Sequence, residues 1–101
     1  MNTLSNERNA VYSRILGSVK NSPVKAIQFE GNTYHFKLDY QLPYGECHYS
    51  RVFSQLIYLK ECLGIISPED TLLETTSGSG GRAAAAVATA LGYRIVIGLP
   101  A

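Results

Sequence analysis

Residues 76–81 combine the side chains and glycines of an anion-binding turn. The segment runs Thr76, Ser77, Gly78, Ser79, Gly80 and Gly81, between an apolar run that ends at Leu73 and a helix-forming run that begins at Ala83. Glycines let the backbone turn sharply and approach a ligand, and free N–H groups at a helix start attract negative charge. The pattern therefore predicts that an anion, a phosphate or a carboxylate, binds at the start of this helix.

Two alternatives to this site stay open. A strand–turn–helix–strand unit needs a tight turn even without a ligand, and Thr76 or Ser77 would then serve as a helix N-cap. A nucleotide-binding βαβ domain is the other alternative, because Gly78, Gly80 and Ala83 fit G-x-G-x-x-A. That fingerprint also requires an acidic residue about 20 positions later, where the chain has none. A Walker loop is excluded because the turn lacks Gly-Lys-Ser/Thr.

The remaining reactive side chains give weaker signals. His48 is a candidate general base with Cys47 beside it as a candidate nucleophile, but such pairs usually meet across a fold rather than along the chain. Arg51 and Arg82 are candidate anion ligands. Cys47 and Cys62 lack metal-ligand spacing, so no metal site is predicted; two free thiols indicate a reducing, cytoplasmic location.

Composition narrows the class of protein. The chain has 101 residues, enough for one domain, and its nine basic and eight acidic residues give a net charge of +1. The charges form no basic stripe, so nucleic-acid binding is not expected. No apolar run approaches the ~18 residues of a membrane span, and residues 1–8 lack the hydrophobic core of a signal peptide.

Periodicity predicts a single α/β domain, residues 1–101, with a small twisted sheet and packed helices. A helical segment covers residues 1–22, a β-hairpin 24–39, an amphipathic helix 49–63 and a βαβ unit 71–98. Gly64 stands where the C-cap of the third segment belongs. The apolar residues of that helix predict its buried face: Val52, Phe53, Leu56, Ile57, Leu59 and Leu63.

Five blocks in order resemble the N-terminal part of the pyridoxal-phosphate enzymes of fold type II, the cysteine synthase and tryptophan synthase β family. Residues 21–24 resemble N-T-P-L, and residues 31–39 resemble G-N followed by Y-x-K-x-E. Residues 42–51 resemble N-P-T-G-S-H-K-D-R. Residues 64–74 resemble G-x-I-x-P-G-x-T-L-x-E, and residues 76–81 resemble T-S-G-N-T-G; residues 91–94 and 99–101 resemble the strand that follows. The resemblance implies that Thr76 to Gly81 bind the substrate carboxylate and that pyridoxal phosphate is the family cofactor.

The departures from the family pattern concern the cofactor. The family lysine that forms the aldimine is replaced by Tyr49 or, in the other alignment, by His48, and neither is a primary amine. Lys37 and Lys60 lie in other segments. Ser79 replaces an asparagine that contacts the cofactor ring. Because the lysine is missing, no covalent cofactor attachment is expected. The chain also ends before the family's phosphate-binding cup, so a truncated, split or catalytically inactive member is predicted.

The resemblance also implies a polypeptide partner. The alanine-rich helix is apolar on nearly all sides, as a helix buried on several sides would be. Self-association, or a separate chain that supplies the missing half, is therefore expected. A non-catalytic module that binds carboxylate or phosphate, or that serves in regulation, is the alternative function.

Overall fold

The computed structural model describes residues 4–100, which form three helices and two small sheets. Helix α1 (Asn6–Ser18) begins after Ser5, whose hydroxyl accepts the N–H of Arg8 at 3.2 Å and so caps the helix. Helix α2 (Tyr49–Cys62) follows a short 3₁₀ turn, Asp39–Gln41. Residues 1–3 and 101, which the predicted domain includes, lie outside the described part. No helix in residues 4–100 is long and apolar enough to cross a membrane.

The predicted hairpin is present as β1 (Val24–Phe29) and β2 (Asn32–Lys37), an antiparallel pair. Glu30 and Gly31 join the strands with φ values of +50° and +79°, the double left-handed turn whose twist suits a two-residue hairpin loop. Every residue of both strands is exposed. Strand register places four large apolar side chains on one exposed face of the hairpin: Ile27, Phe29, Tyr34 and Phe36.

The predicted βαβ unit is also present. Strand β3 (Thr71–Thr75) and strand β4 (Arg94–Gly98) pair in parallel, connected by helix α3 (Ser79–Ala90). The sequence predicts one small sheet, whereas the described strands form two separate two-stranded sheets. The hairpin is closed by local pairing, whereas β3 and β4 need the α3 crossover to become neighbours.

The core lies where α3 packs against α2 and the β3–β4 pair, with α1 packed on α2. Its buried members are Tyr12, Ile15, Ile57, Val87, Ala88, Leu91 and Tyr93. The predicted C-cap is confirmed: Gly64 has φ +75°, and the N–H of Ile65 donates to the carbonyl of Lys60 at 2.9 Å in a Schellman arrangement.

The buried face predicted for α2 is wrong. Val52, Leu56, Leu59 and Leu63 are exposed, and among the six predicted residues only Ile57 is buried. The helix instead buries Ser50, Ser54 and Glu61. Small serines let α2 lie close to the alanines of α3, and their hydroxyls are satisfied locally by the carbonyls of Cys47 and Ser50.

Candidate functional site

The glycine-rich turn lies between the end of β3 and the start of α3. The N–H of Thr76 donates to the carbonyl of Gly98 at 3.1 Å and extends the strand ladder by one residue. Ser77 is exposed, and Gly78 occupies the N-cap position with φ +55° and ψ −116°. Residues other than glycine rarely adopt this backbone conformation, so the turn depends on the glycine at position 78.

The first turn of α3 leaves backbone donors available. Its first intrahelical bond joins the N–H of Arg82 to the carbonyl of Gly78 at 3.3 Å, so the N–H groups of Ser79, Gly80 and Gly81 have no intrahelical acceptor. Within residues 4–100 no side chain caps this helix, which means that the serine or threonine cap of the structural alternative is not formed. The helix dipole places partial positive charge at the same amides.

Close packing explains the other two glycines. A Cβ on Gly80 would lie 2.5 Å from the hydroxyl oxygen of Thr76, and one on Gly81 would lie 3.1 Å from a methyl group of Ile97. The space around Gly78 is open instead. Packing against the strands therefore fixes the helix start at residues 80 and 81, and leaves the approach to Gly78 free for a ligand.

A pocket of about 420 Å³ opens beside the turn. Thr75, Thr76 and Ser77 form one wall, and Gly98, Leu99 and Pro100 form the other. Of the predicted site residues, the structure brings Thr76 and Ser77 to the pocket wall, while Gly78 to Gly81 form the adjacent helix start. A site of this size suits a small ligand with an anionic end.

The loop before α2 supports the helix start, a role that the sequence analysis missed. Tyr44, Gly45 and Glu46 have φ values of +60°, +108° and +59°, and Gly45 packs directly on Ala83 at the start of the second turn of α3. The thiol of buried Cys47 donates to the carbonyl of Ser79 at 3.5 Å. Consecutive left-handed residues are strained unless the surroundings hold them. The one sequence signal for this contact was the glycine at position 45.

The candidate Cys47–His48 pair is not assembled. The thiol of Cys47 faces α3, whereas Nδ1 of His48 lies 3.6 Å from a carboxylate oxygen of Asp39. The hydroxyl of Ser22 donates to the same carboxylate, and this bond, followed by charges that include Lys37, lowers the pKa of Asp39. The two neighbours therefore face different elements.

The two candidate arginines also have other partners. Arg51 donates from Nε to the carbonyl of Val19 at 2.8 Å, which joins α2 to the end of α1. Arg82 lies 4.0 Å from the carboxylate of Glu46, with both side chains exposed. An exposed pair at that distance contributes little to stability.

Comparisons with known proteins agree with the fold and with the resemblance. No protein-family model matches the chain. Over 93 residues the chain is 37% identical to cysteine synthase B of Pseudomonas syringae pv. syringae, an alignment that covers 88% of this chain and 54% of that protein. The chain thus spans about half the length of this curated relative.

A solved structure shares the fold. It is a hydrogen sulfide-producing enzyme from Fusobacterium nucleatum, which superposes with a TM-score of 0.75 over 99% of this chain and 32% of its own length, at 23% sequence identity. The sequence similarity to cysteine synthase B agrees with this shared fold. The sequence blocks that resemble the family, which occur in the family's order, agree with it as well. The chain belongs to the cysteine synthase family of pyridoxal-phosphate enzymes.

Proposed function

We propose that the glycine-rich turn binds the carboxylate of an amino acid, and that this chain is a cysteine synthase-type module without the covalent cofactor link. The observation that carries the proposal is a run of three amides, from Ser79 to Gly81, that have no intrahelical acceptor and follow directly on Thr76 and Ser77 in the pocket wall. The relationship to cysteine synthase B favours an amino-acid carboxylate over a nucleotide phosphate. The nucleotide alternative also lacks its acidic ribose ligand.

The residues of the chain do not fit a covalently held pyridoxal phosphate. Tyr49 begins α2 and its ring stacks on that of His48, with centroids 4.4 Å apart. Neither ring can form a Schiff base. Lys60 lines a different groove, between α2 and the β3–β4 strands, and Lys37 ends the exposed hairpin. We therefore propose that the covalent chemistry of the family is not carried by the lysine position of this chain.

Borohydride reduction of the chain mixed with pyridoxal phosphate is expected to give no site-specific adduct. The reason is the lack of a primary amine at positions 48 and 49. Intact mass followed by peptide mapping measures this outcome, with a lysine-containing cysteine synthase as the positive control. A single adduct that maps to Lys37 or Lys60 would contradict the proposal.

Carboxylate binding can be tested at the turn itself. We expect chemical-shift changes at residues 76–81 on titration with a small L-amino acid, and Ser77→Ala should weaken binding by about 0.5–1.5 kcal/mol, the usual net value of one hydrogen bond. Gly78→Val should abolish binding, because a β-branched residue cannot keep φ +55°. Inorganic phosphate as a second titrant separates a general anion site from a carboxylate site.

Gly31→Val is the matched control for Gly78→Val. Gly31 also has positive φ, and nothing lies within 4 Å of a Cβ built on it, but it occupies the hairpin turn rather than the candidate site. Its replacement should strain the backbone and leave ligand binding intact. Shift changes that cluster away from residues 76–81, or none with either ligand, would reduce the turn to a structural connection.

The exposed apolar faces support a polypeptide partner as a further part of the proposal. One is the hairpin face that contains Phe29 and Phe36; another is the cross-strand pair Leu73–Val96, whose members are 72% and 54% exposed. Parallel strands are normally covered on both faces. We propose that a second copy or a separate chain covers these surfaces.

The isolated chain is expected to self-associate. Large exposed apolar patches mark interaction surfaces or cause aggregation, and the hairpin and the β3–β4 pair each expose large apolar side chains. Sedimentation velocity over a range of concentrations measures the association. Phe36→Lys should reduce it, and Lys25→Gln, a polar change at the position paired with Phe36, is the control. A monomer at all concentrations would argue against the partner.

A further inference from the structure

The carboxylate of Glu61 is a buried junction between three parts of the fold. It lies in the last turn of α2 with 6% exposure. Nε and Nη2 of Arg8 donate to its two oxygens at 2.9 and 2.8 Å, and the hydroxyls of Tyr12 and Tyr93 also donate to it, the latter at 3.0 Å. Nη1 of Arg8 donates to the carbonyl of Leu91 at 2.5 Å. One anion therefore joins α1, α2 and the connection between α3 and β4.

Two sets of polar contacts join helix α1 to the rest of the described fold: this junction, and the bond from Nε of Arg51 to the carbonyl of Val19 at the end of the helix. The guanidinium of Arg8 lies 5.6 Å from the ring centre of Tyr12 and 5.8 Å from that of Tyr93, so it is held by both rings as well as by the carboxylate. Tyr12 and Ile15 are the buried side chains of the helix. A helix of 13 residues is marginal in water without such tertiary contacts.

The rest of the described fold has contacts of its own. Helix α3 packs against α2 and both parallel strands, and the β3–β4 ladder runs over five residue pairs. Departure of α1 would remove Tyr12 and Ile15 from the buried cluster that they form with Ile57, Val87, Ala88, Leu91 and Tyr93.

We propose that α1 is a latch that opens separately from the α2–β3–α3–β4 unit, and that the charge of Glu61 holds it closed. Loss of that charge leaves Arg8 partly buried without its anion, and in the glutamine variant an amide N–H₂ donor replaces one of the two accepting oxygens. An unpaired buried cation is costly, whereas an open α1 returns Arg8 to water. Opening of α1 therefore returns the unpaired Arg8 to water, but it also exposes the buried side chains of Tyr12 and Ile15.

Residue-resolved hydrogen exchange on the full chain tests the latch. In Glu61→Gln, amides of α1 from residue 10 onward should exchange at least about tenfold faster, and they should remain less protected than those of Val87, Ala88 and Leu91. Glu7→Gln is the control, since it makes the same chemical change at an exposed position of α1. Arg8→Lys, which keeps the charge and loses the two-pronged contact, should give an intermediate acceleration in α1.

Two outcomes would overturn the latch. Equal protection and equal urea dependence of the α1 and α3 amides would mean that the chain opens as one cooperative unit, and unchanged exchange in α1 would mean that Glu61 does not hold the helix. Wild-type exchange in low urea provides a second measurement if Glu61→Gln does not fold. The latch requires α1 amides to open at lower urea than α3 amides, and coincident opening would contradict it.

Discussion

Gly45→Ala is expected to destabilise the fold by roughly 3 kcal/mol, the upper end of the usual cost of overpacking. A Cβ at this position would lie 2.5 Å from Cα and 2.8 Å from N of Ala83. Both atoms belong to a helix backbone, which cannot move aside as a flexible side chain can. The φ of +108° adds strain for any residue with a side chain. Urea unfolding followed by circular dichroism gives the free energy.

Gly17→Ala is the matched control for Gly45→Ala. Gly17 lies in α1, and nothing lies within 4 Å of a Cβ built there. Alanine should stabilise the helix by about 0.5–1 kcal/mol at such a position. Wild-type stability in Gly45→Ala would show that the loop before α2 does not pack on α3.

The same contact links the loop to the candidate site. Cys47 contacts the first turn of α3 at Ser79, and Gly45 contacts the start of its second turn at Ala83. The amides proposed to bind the carboxylate belong to the first turn, and their direction is set by the helix start. Gly45→Ala is therefore expected to weaken carboxylate binding in whatever fraction of the protein remains folded.

Local patterns in the sequence were sufficient for the hairpin, the βαβ unit and the helix ends. Gly31 and Gly64 act through their own backbone conformation, so a single position carries the signal. The glycine-rich turn belongs to this class as well, because its neighbours along the chain, β3 and α3, form it. Its ligand stays a prediction.

Long-range contacts were not predictable in the same way. The stripe from Val52 to Leu63 has the periodicity of a buried face, yet α2 presents Ser50 and Ser54 to the core. Close approach to the alanines of α3 decides the orientation, and periodicity within α2 does not contain it. Arg8 and Glu61 are 53 residues apart, and nothing local to either predicts their bond.

The burial of Glu61 is expected to limit stability on the acid side. Burial disfavours its charge, but the hydrogen bonds from Arg8, Tyr12 and Tyr93 outweigh that cost and lower its pKa. A carboxyl with a lowered folded pKa contributes stability above its unfolded pKa of about 4.3 and loses that contribution as pH falls through the folded value. Unfolding free energies measured between about pH 7 and pH 3 should therefore decrease.

Two variants separate the Glu61 contribution from that of other acids. Glu61→Gln should lower stability at neutral pH by roughly 3 kcal/mol, since it leaves Arg8 without its partner, and should flatten the acid decrease. Asp39→Asn is the control, because Asp39 also has a lowered pKa but lies outside the core. If the free energy of unfolding of Glu61→Gln falls with pH as much as that of the wild type, other carboxylates cause the loss of stability.

The same junction is expected to limit stability on the alkaline side. Burial, followed by hydrogen bonding to Glu61, raises the pKa values of Tyr12 and Tyr93 above their ordinary value of 10.0. A raised folded pKa gives stability that is complete below the unfolded pKa and is lost as pH rises, because ionisation then favours the unfolded chain. Unfolding measured from about pH 8 to pH 11 should show a decrease that Tyr93→Phe makes shallower. Tyr40→Phe, at an exposed tyrosine, is the control, and an equal change in both variants would remove the junction as the cause.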